Sequence, residues 1–196
     1  DYLIEDFGHI CRNAIQKDTR TVFIDLGATY NFKEDTIDVN SPAIRVIEKY
    51  RRNGIHFDHI YAYEIRKWDT DVVYKTIPTH MQGPLHWINT GVTGEENHQH
   101  NPWTMLKQNF DPEDFVVVKL DIDTPSVEMP LFQQLLTDPQ LHDFVDVFYF
   151  EHHVQMDEME TYWGSAKLGL TQGTVVESLE LFQALRKVGV AAHYWI

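Results

Sequence analysis

Apolar residues along the chain fall into short dense runs, separated by stretches in which apolar positions recur every three or four residues. The runs are TVFIDLG (Thr21–Gly27), FDHIYAYE (Phe57–Glu64), LHWINTGV (Leu85–Val92), FVVVKLDID (Phe115–Asp123) and FVDVFYFEHHV (Phe144–Val154), with a shorter AAHYWI at the end. Each is rich in β-branched or aromatic residues and bounded by turn or polar residues, which predicts strands. The intervening stretches read as helices. SPAIRVIEKYRRNG opens on Ser41 with Pro42 at the first helical position, NPWTMLKQNF repeats that opening with Asn101 and Pro102, and SVEMPLFQQLLTD follows the fourth run. TVVESLELFQALRKVG places Val175, Leu179, Phe182 and Leu185 on one face and stops at Gly189. The alternation predicts an α/β fold: a doubly wound, mostly parallel sheet covered by helices on both faces, Rossmann-like, in three layers. Residues 1–20 read as a helical segment ahead of an α/β core over 21–196, and 196 residues make one domain with its own core.

In sheets of this kind ligands bind at the carboxyl ends of the strands, near the point where strand order reverses. That rule selects Asp25 with Gly27 and Ala28, Glu64, Asn89 with Gly91, Asp121 with Asp123, and Glu151 with His152 and His153. Gly27 permits a tight turn and close backbone approach to a ligand, although the further glycines of a dinucleotide fingerprint are missing. An acid at the position of Glu64 can take both hydroxyls of a ribose. His152 and His153 cannot both enter one site from a regular strand, because neighbouring residues face opposite sides. We assign the site role to His152, as general base or, with Asp121, Asp123 and Glu151, as ligand to a divalent metal ion.

Taken alone, DIDTP admits other chemistry. A hydrophobic run followed by DxDxT matches the nucleophile motif of haloacid-dehalogenase-type phosphatases, and DxD also matches the metal-holding motif of nucleotide-sugar glycosyltransferases. DLGAT is similar to a sugar-kinase phosphate loop, but that fold needs two lobes. His98 and His100 form an i, i+2 pair in a polar loop, and Trp163 is the tryptophan placed to face a substrate.

Composition narrows the field. Thirty Asp and Glu against sixteen Lys and Arg give a net charge of −14, which repels phosphate backbones and argues against a nucleic-acid partner. No apolar run approaches the ~20 residues of a membrane span. The single cysteine, Cys11, excludes an intrachain disulfide, a zinc ribbon and a CxxC redox site. No secretory signal is legible, and the chain opens on Asp1, which leaves room for a removed leader or upstream segment.

Read together, DLGA, YAYE, INTGV, VVKLDID and FYFEHHV, over about Thr21–Val154, resemble the class I S-adenosylmethionine-dependent methyltransferases, nearest to the FkbM-like family and its eukaryotic relatives. A similar VDLGA, YAFE and VKxDxE series occurs there in the same order. The resemblance implies S-adenosylmethionine as cofactor and a small-molecule or glycan acceptor, methylated on oxygen. It implies that Asp25, Gly27 and Ala28 form the cofactor turn, Glu64 holds the ribose, Asn89 to Val92 lie beside the adenine, and Asp121 sits at the sulfonium end. A likeness to catechol O-methyltransferase-type enzymes, which hold magnesium after strands four and five, implies a metal near DID and EHH. The chain departs from the FkbM-like pattern where Thr29, Tyr30 and Asn31 follow DLGA and where Thr124 and Pro125 follow Asp123. The alternative is therefore a non-catalytic methyltransferase-like binding domain, its cleft blocked by Tyr30 or Phe32.

Overall fold

A computed structural model describes residues 6–11, 15, 18–30, 41–158 and 169–195. Six parallel strands form one sheet: β1 (Thr21–Leu26), β2 (His59–Tyr63), β3 (Leu85–Ile88), β4 (Phe115–Leu120), β5 (Val147–Phe150) and β6 (Ala191–Tyr194), in the order β3-β2-β1-β4-β5-β6. The described helices are α1 (Phe7–His9), α2 (Pro42–Arg52), α3 (Thr70–Thr76), α4 (Thr79–Gln82), α5 (Pro102–Asn109), α6 (Pro125–Thr137), α7 (Pro139–Phe144) and α8 (Val175–Lys187). All the strands that the apolar runs predict are present and shorter than the runs, because their ends pass into turns. The helical segment expected over 1–20 is described only around α1.

The chain steps outward from β1 to β2 and β3, then crosses back to β4 and steps outward to β5 and β6. Because parallel crossovers are right-handed, reversing the direction moves the helices to the other face. One core accordingly packs α2, Val73 of α3 and Met81 of α4 against Phe23, Ile60, Ala62, Val117 and Tyr149. The other packs residues of α5, α6, α7 and α8 against Val22, Ile24, Val118, Leu120, Phe148 and Phe150. Every residue of β1 and β4 is buried, as expected of central strands covered twice. The reversal lies between β1 and β4.

Helix starts follow the chemistry of their caps. The Asn101 side chain accepts from the Trp103 and Thr104 amides ahead of α5, and Thr174 forms a capping box with Glu177 at the start of α8. The buried face of α8 differs from the expected one: Ser178, Phe182 and Leu185 are buried, whereas Val175 and Leu179 are exposed. The helix is turned so that the Ser178 hydroxyl meets the buried His152 imidazole at 2.7 Å.

At the amino end of β5, burial pushes the Asp146 carboxyl up to about 6, against a hydrogen bond that its Oδ2 accepts from the Val116 amide at 2.8 Å. The folded chain therefore holds this proton to a higher pH than the unfolded chain. Its contribution to stability is complete below the ordinary carboxylate value and is lost as pH rises through about 6. Asp146→Asn keeps an acceptor for the Val116 amide and removes the charge. It is expected to raise stability above that window by on the order of 1–2 kcal/mol and to flatten the pH dependence within it, as urea melts across pH would measure.

Candidate functional site

A cleft of about 420 Å³ opens at the carboxyl ends of β1, β2 and β4, at the reversal point. Its size falls within the usual range for small-molecule sites. Asp25, Gly27, Glu64, Gly91, Asp121 and Asp123 line it, together with Ile65, Lys119 and the start of α2 at Ser41, Pro42 and Ala43.

The turn after β1 ties three strands together. The amides of Gly27 and Ala28 donate to the Tyr63 carbonyl at 3.1 and 2.9 Å, and the Asp121 amide donates to the Leu26 carbonyl at 3.0 Å. Gly27 has φ +91°, and a Cβ built there would lie 1.7 Å from the Asp121 carbonyl oxygen. Glycine is thus required both by conformation and by the close approach of β4. Ala28, expected in the cofactor turn, is wholly buried in the core and is not among the lining residues.

Beneath the turn lies a buried charge network that centres on Lys119, the cross-strand neighbour of Asp25. Its ammonium is 2.9 Å from Asp25 Oδ1, 3.0 Å from the Gly27 carbonyl and 3.1 Å from Asp121 Oδ2, and it lies 5.5 Å from the centre of the Trp195 ring. Trp195 Nε1 donates to the same Asp121 oxygen at 3.0 Å. Burial works against the charge on Lys119, but Asp25 and Asp121 outweigh it and hold the amine above its ordinary value. Burial raises the Asp25 carboxyl in spite of Lys119. At Asp121 burial is overcome by Lys119, with hydrogen bonds from Glu151, Lys119 and Trp195, and the carboxyl is held low. Glu151 is raised, by burial and by Asp121, so of these two acids it retains a proton longer.

At the end of β2, Glu64 Oε1 accepts from the Arg66 amide at 2.6 Å, and Oε2 accepts from the Thr29 hydroxyl at 3.2 Å. Asn89 does not line the cleft. Its side chain donates to the Glu64 and Arg66 carbonyls at 2.9 and 2.6 Å and accepts from the Trp68 amide at 2.9 Å, which staples the loop that carries Glu64. Thr90 and Gly91 form the wall instead, opposite Ile65, which is 78% exposed. A Cβ on Gly91 would come within 3.0 Å of Ile65 Cδ1.

The two histidines separate as strand alternation demands, but in the opposite sense to the one expected. His152 follows Phe148 and Phe150 onto the α8 face, where it stacks on Phe150 and meets Ser178, and burial lowers its pKa. His153 follows Tyr149 and Glu151 onto the cleft face, with Nε2 3.2 Å from Asp123 Oδ1 and 3.2 Å from Glu151 Oε2. Burial disfavours its charge, but those two acids raise it to about 10. The metal-capable group is correspondingly Asp123, Glu151 and His153, whose ligand atoms all lie within 4.8 Å of one another. This group could hold a metal ion; His152 is outside it, and Asp121 is held by Lys119 and Trp195.

The ring centres of His98 and His100 stand 5.2 Å apart, with His98 Nδ1 accepting from the His100 amide, and the pair belongs to no such group among the described residues. Tyr30 is buried beside Asp25 and Trp87 and is not among the lining residues. Phe32 and Trp163 lie outside the described residues. Lys119, Ile65 and Trp195 are site residues that the strand-end rule does not select. Lys119 carries a legible signal, a lone cation within an apolar run that demands a buried counter-charge. No helix among the described residues is long and apolar enough to cross a membrane.

No protein-family model matches the chain, and no curated protein or solved structure matches it significantly.

Proposed function

We propose that the protein is an S-adenosylmethionine-dependent methyltransferase that methylates a hydroxyl of a small molecule or glycan. The observation that carries this reading is the charge of the cleft. Asp25, Glu64, Asp121 and Asp123 line it against one lysine, and the Lys119 ammonium is engaged by Asp25 and Asp121. A cationic ligand without phosphates suits such a lining. A dinucleotide or nucleoside diphosphate would set phosphates against carboxylates, although the strand order is one that dinucleotide-binding folds share.

When bound, the cofactor supplies an electrophilic methyl group on a sulfonium. The chain's residues bind and orient around it. Glu64 accepts from the ribose hydroxyls, with Ile65 and Gly91 bordering the base. The Gly27 turn admits the cofactor close to the backbone. The ionised Asp121, fixed through Oδ2, would accept the hydrogen bond of the acceptor hydroxyl and take its proton as the oxygen gains the methyl group and the sulfonium leaves as a neutral thioether, so that proximity and orientation carry the rate. The two DxD readings have less support, because Asp121 and Asp123 do not act as a pair: one is bound to Lys119 and Trp195, the other faces His153.

Glu64→Gln is expected to weaken S-adenosylhomocysteine binding by about 10- to 100-fold, the worth of a charge-assisted hydrogen bond. Calorimetry would measure it. An unchanged affinity would remove Glu64 from the site.

A further inference from the structure

Beside Asp121, the cleft-lining Asp123 meets Glu151 and His153, which stand next to the cleft and do not line it. The His153 side chain is 4% exposed and that of Glu151 14%, while Asp123 is 67% exposed and leaves the group open to solvent on one side. The ligand atoms come from two elements, each held by the fold. The turn before Asp123 is fixed by the Ile122 amide donating to the buried Glu128 at 3.0 Å. The Glu151 amide donates to the Leu120 carbonyl at 3.1 Å, and the His153 carbonyl accepts from the Gln172 amide at 2.7 Å. The Nε2-to-oxygen distances of 3.2 Å match the separation of neighbouring ligands that each lie roughly 2.0–2.2 Å from one ion.

We propose that Asp123, Glu151 and His153 bind one divalent transition-metal ion beside the cleft. An imidazole with two carboxylates favours Mn²⁺, Fe²⁺, Co²⁺ or Zn²⁺ over Mg²⁺ and Ca²⁺, which prefer all-oxygen shells. Three protein ligands leave positions open, and on the methyl-transfer reading, on which this functional role rests, the acceptor oxygen takes one of them beside Asp121. The competing account is a plain ion pair in which a His153 cation holds two acids, and it predicts no metal uptake.

Chelator-dialysed protein titrated with Co²⁺, followed by visible absorption, and with Mn²⁺, followed by calorimetry, separates the two. The expected result is one saturable site per chain, weakened by more than about 100-fold in His153→Gln and in Asp123→Asn, beyond the roughly 10- to 100-fold that loss of an outer-shell partner causes. Asparagine tolerates the φ of +53° at position 123, so that variant decides the matter if His153→Gln does not fold. No saturable uptake at millimolar ion, or uptake unchanged in Asp123→Asn, would overturn the site. S-adenosylhomocysteine binding measured without metal reports separately: its retention with no metal uptake overturns this proposal alone, and its absence with intact uptake overturns the methyl-transfer reading alone.

Discussion

Gly27→Ala is expected to abolish the folded cleft. The added methyl carbon would lie 1.7 Å from the Asp121 carbonyl oxygen, a backbone atom that cannot rotate away, so β1 and β4 must separate at their carboxyl ends. A left-handed φ of +91° adds to the cost. Together these place the substitution among the rare ones that cost about 4 kcal/mol or more, a fall in Tm of at least roughly 8–16 °C for a chain of this size. Gly54→Ala is the control. Gly54 has nearly the same φ, +87°, but nothing lies within 4 Å of its Cβ position. Only the backbone term remains there, about 1–2 kcal/mol. Thermal or urea melts of both variants would therefore isolate the close approach of the β1 turn to β4, and equal losses would refute it.

Lys119→Met is the second large effect. It leaves the fully buried Asp25 without its cation and frees Asp121 on one side, and breaking a buried pair from one end costs about 3–5 kcal/mol. The sign of its pH dependence follows. A buried carboxyl without a partner is raised further above its unfolded value, so the deficit is largest in alkaline buffer and shrinks on acidification, as Asp25 takes up a proton. The double variant Asp25→Asn/Lys119→Met removes both buried charges and should recover most of the loss, since Asp121 keeps its bond from Trp195. Urea melts of the single and double variants at two pH values would check this. A single variant as stable as the parent would mean that the network does not hold the cleft floor.

The strands were legible because a parallel sheet covered twice needs short apolar runs separated by helical periods, whereas their order in the sheet comes from the structure. The phase of β5 was not. Val147, Phe148, Tyr149 and Phe150 are all buried, so no apolar–polar alternation tells which side Glu151 takes, and His152 stood for what the structure gives to His153. Lys119 shares the face of Asp121 by the same alternation, and a buried ammonium demands an acid, but only the register of β1 against β4 makes Asp25 that acid. Asn89 illustrates the opposite case. An amide at a strand end has the chemistry of a ligand contact and of a loop staple alike, and only the positions of the Glu64, Arg66 and Trp68 backbone groups decide for the staple. The rotation of α8 had no sequence signal either, since it depends on Ser178 meeting a histidine twenty-six residues away.

The central claim, a cleft built for a phosphate-free cationic cofactor, is tested most directly by calorimetric titration of the folded protein with S-adenosylmethionine, S-adenosylhomocysteine, NAD and a nucleoside diphosphate. The account predicts saturable one-to-one binding of the first two and none of the last two. Binding of NAD or the nucleoside diphosphate in their place, or no binding of either sulfur compound, would contradict it.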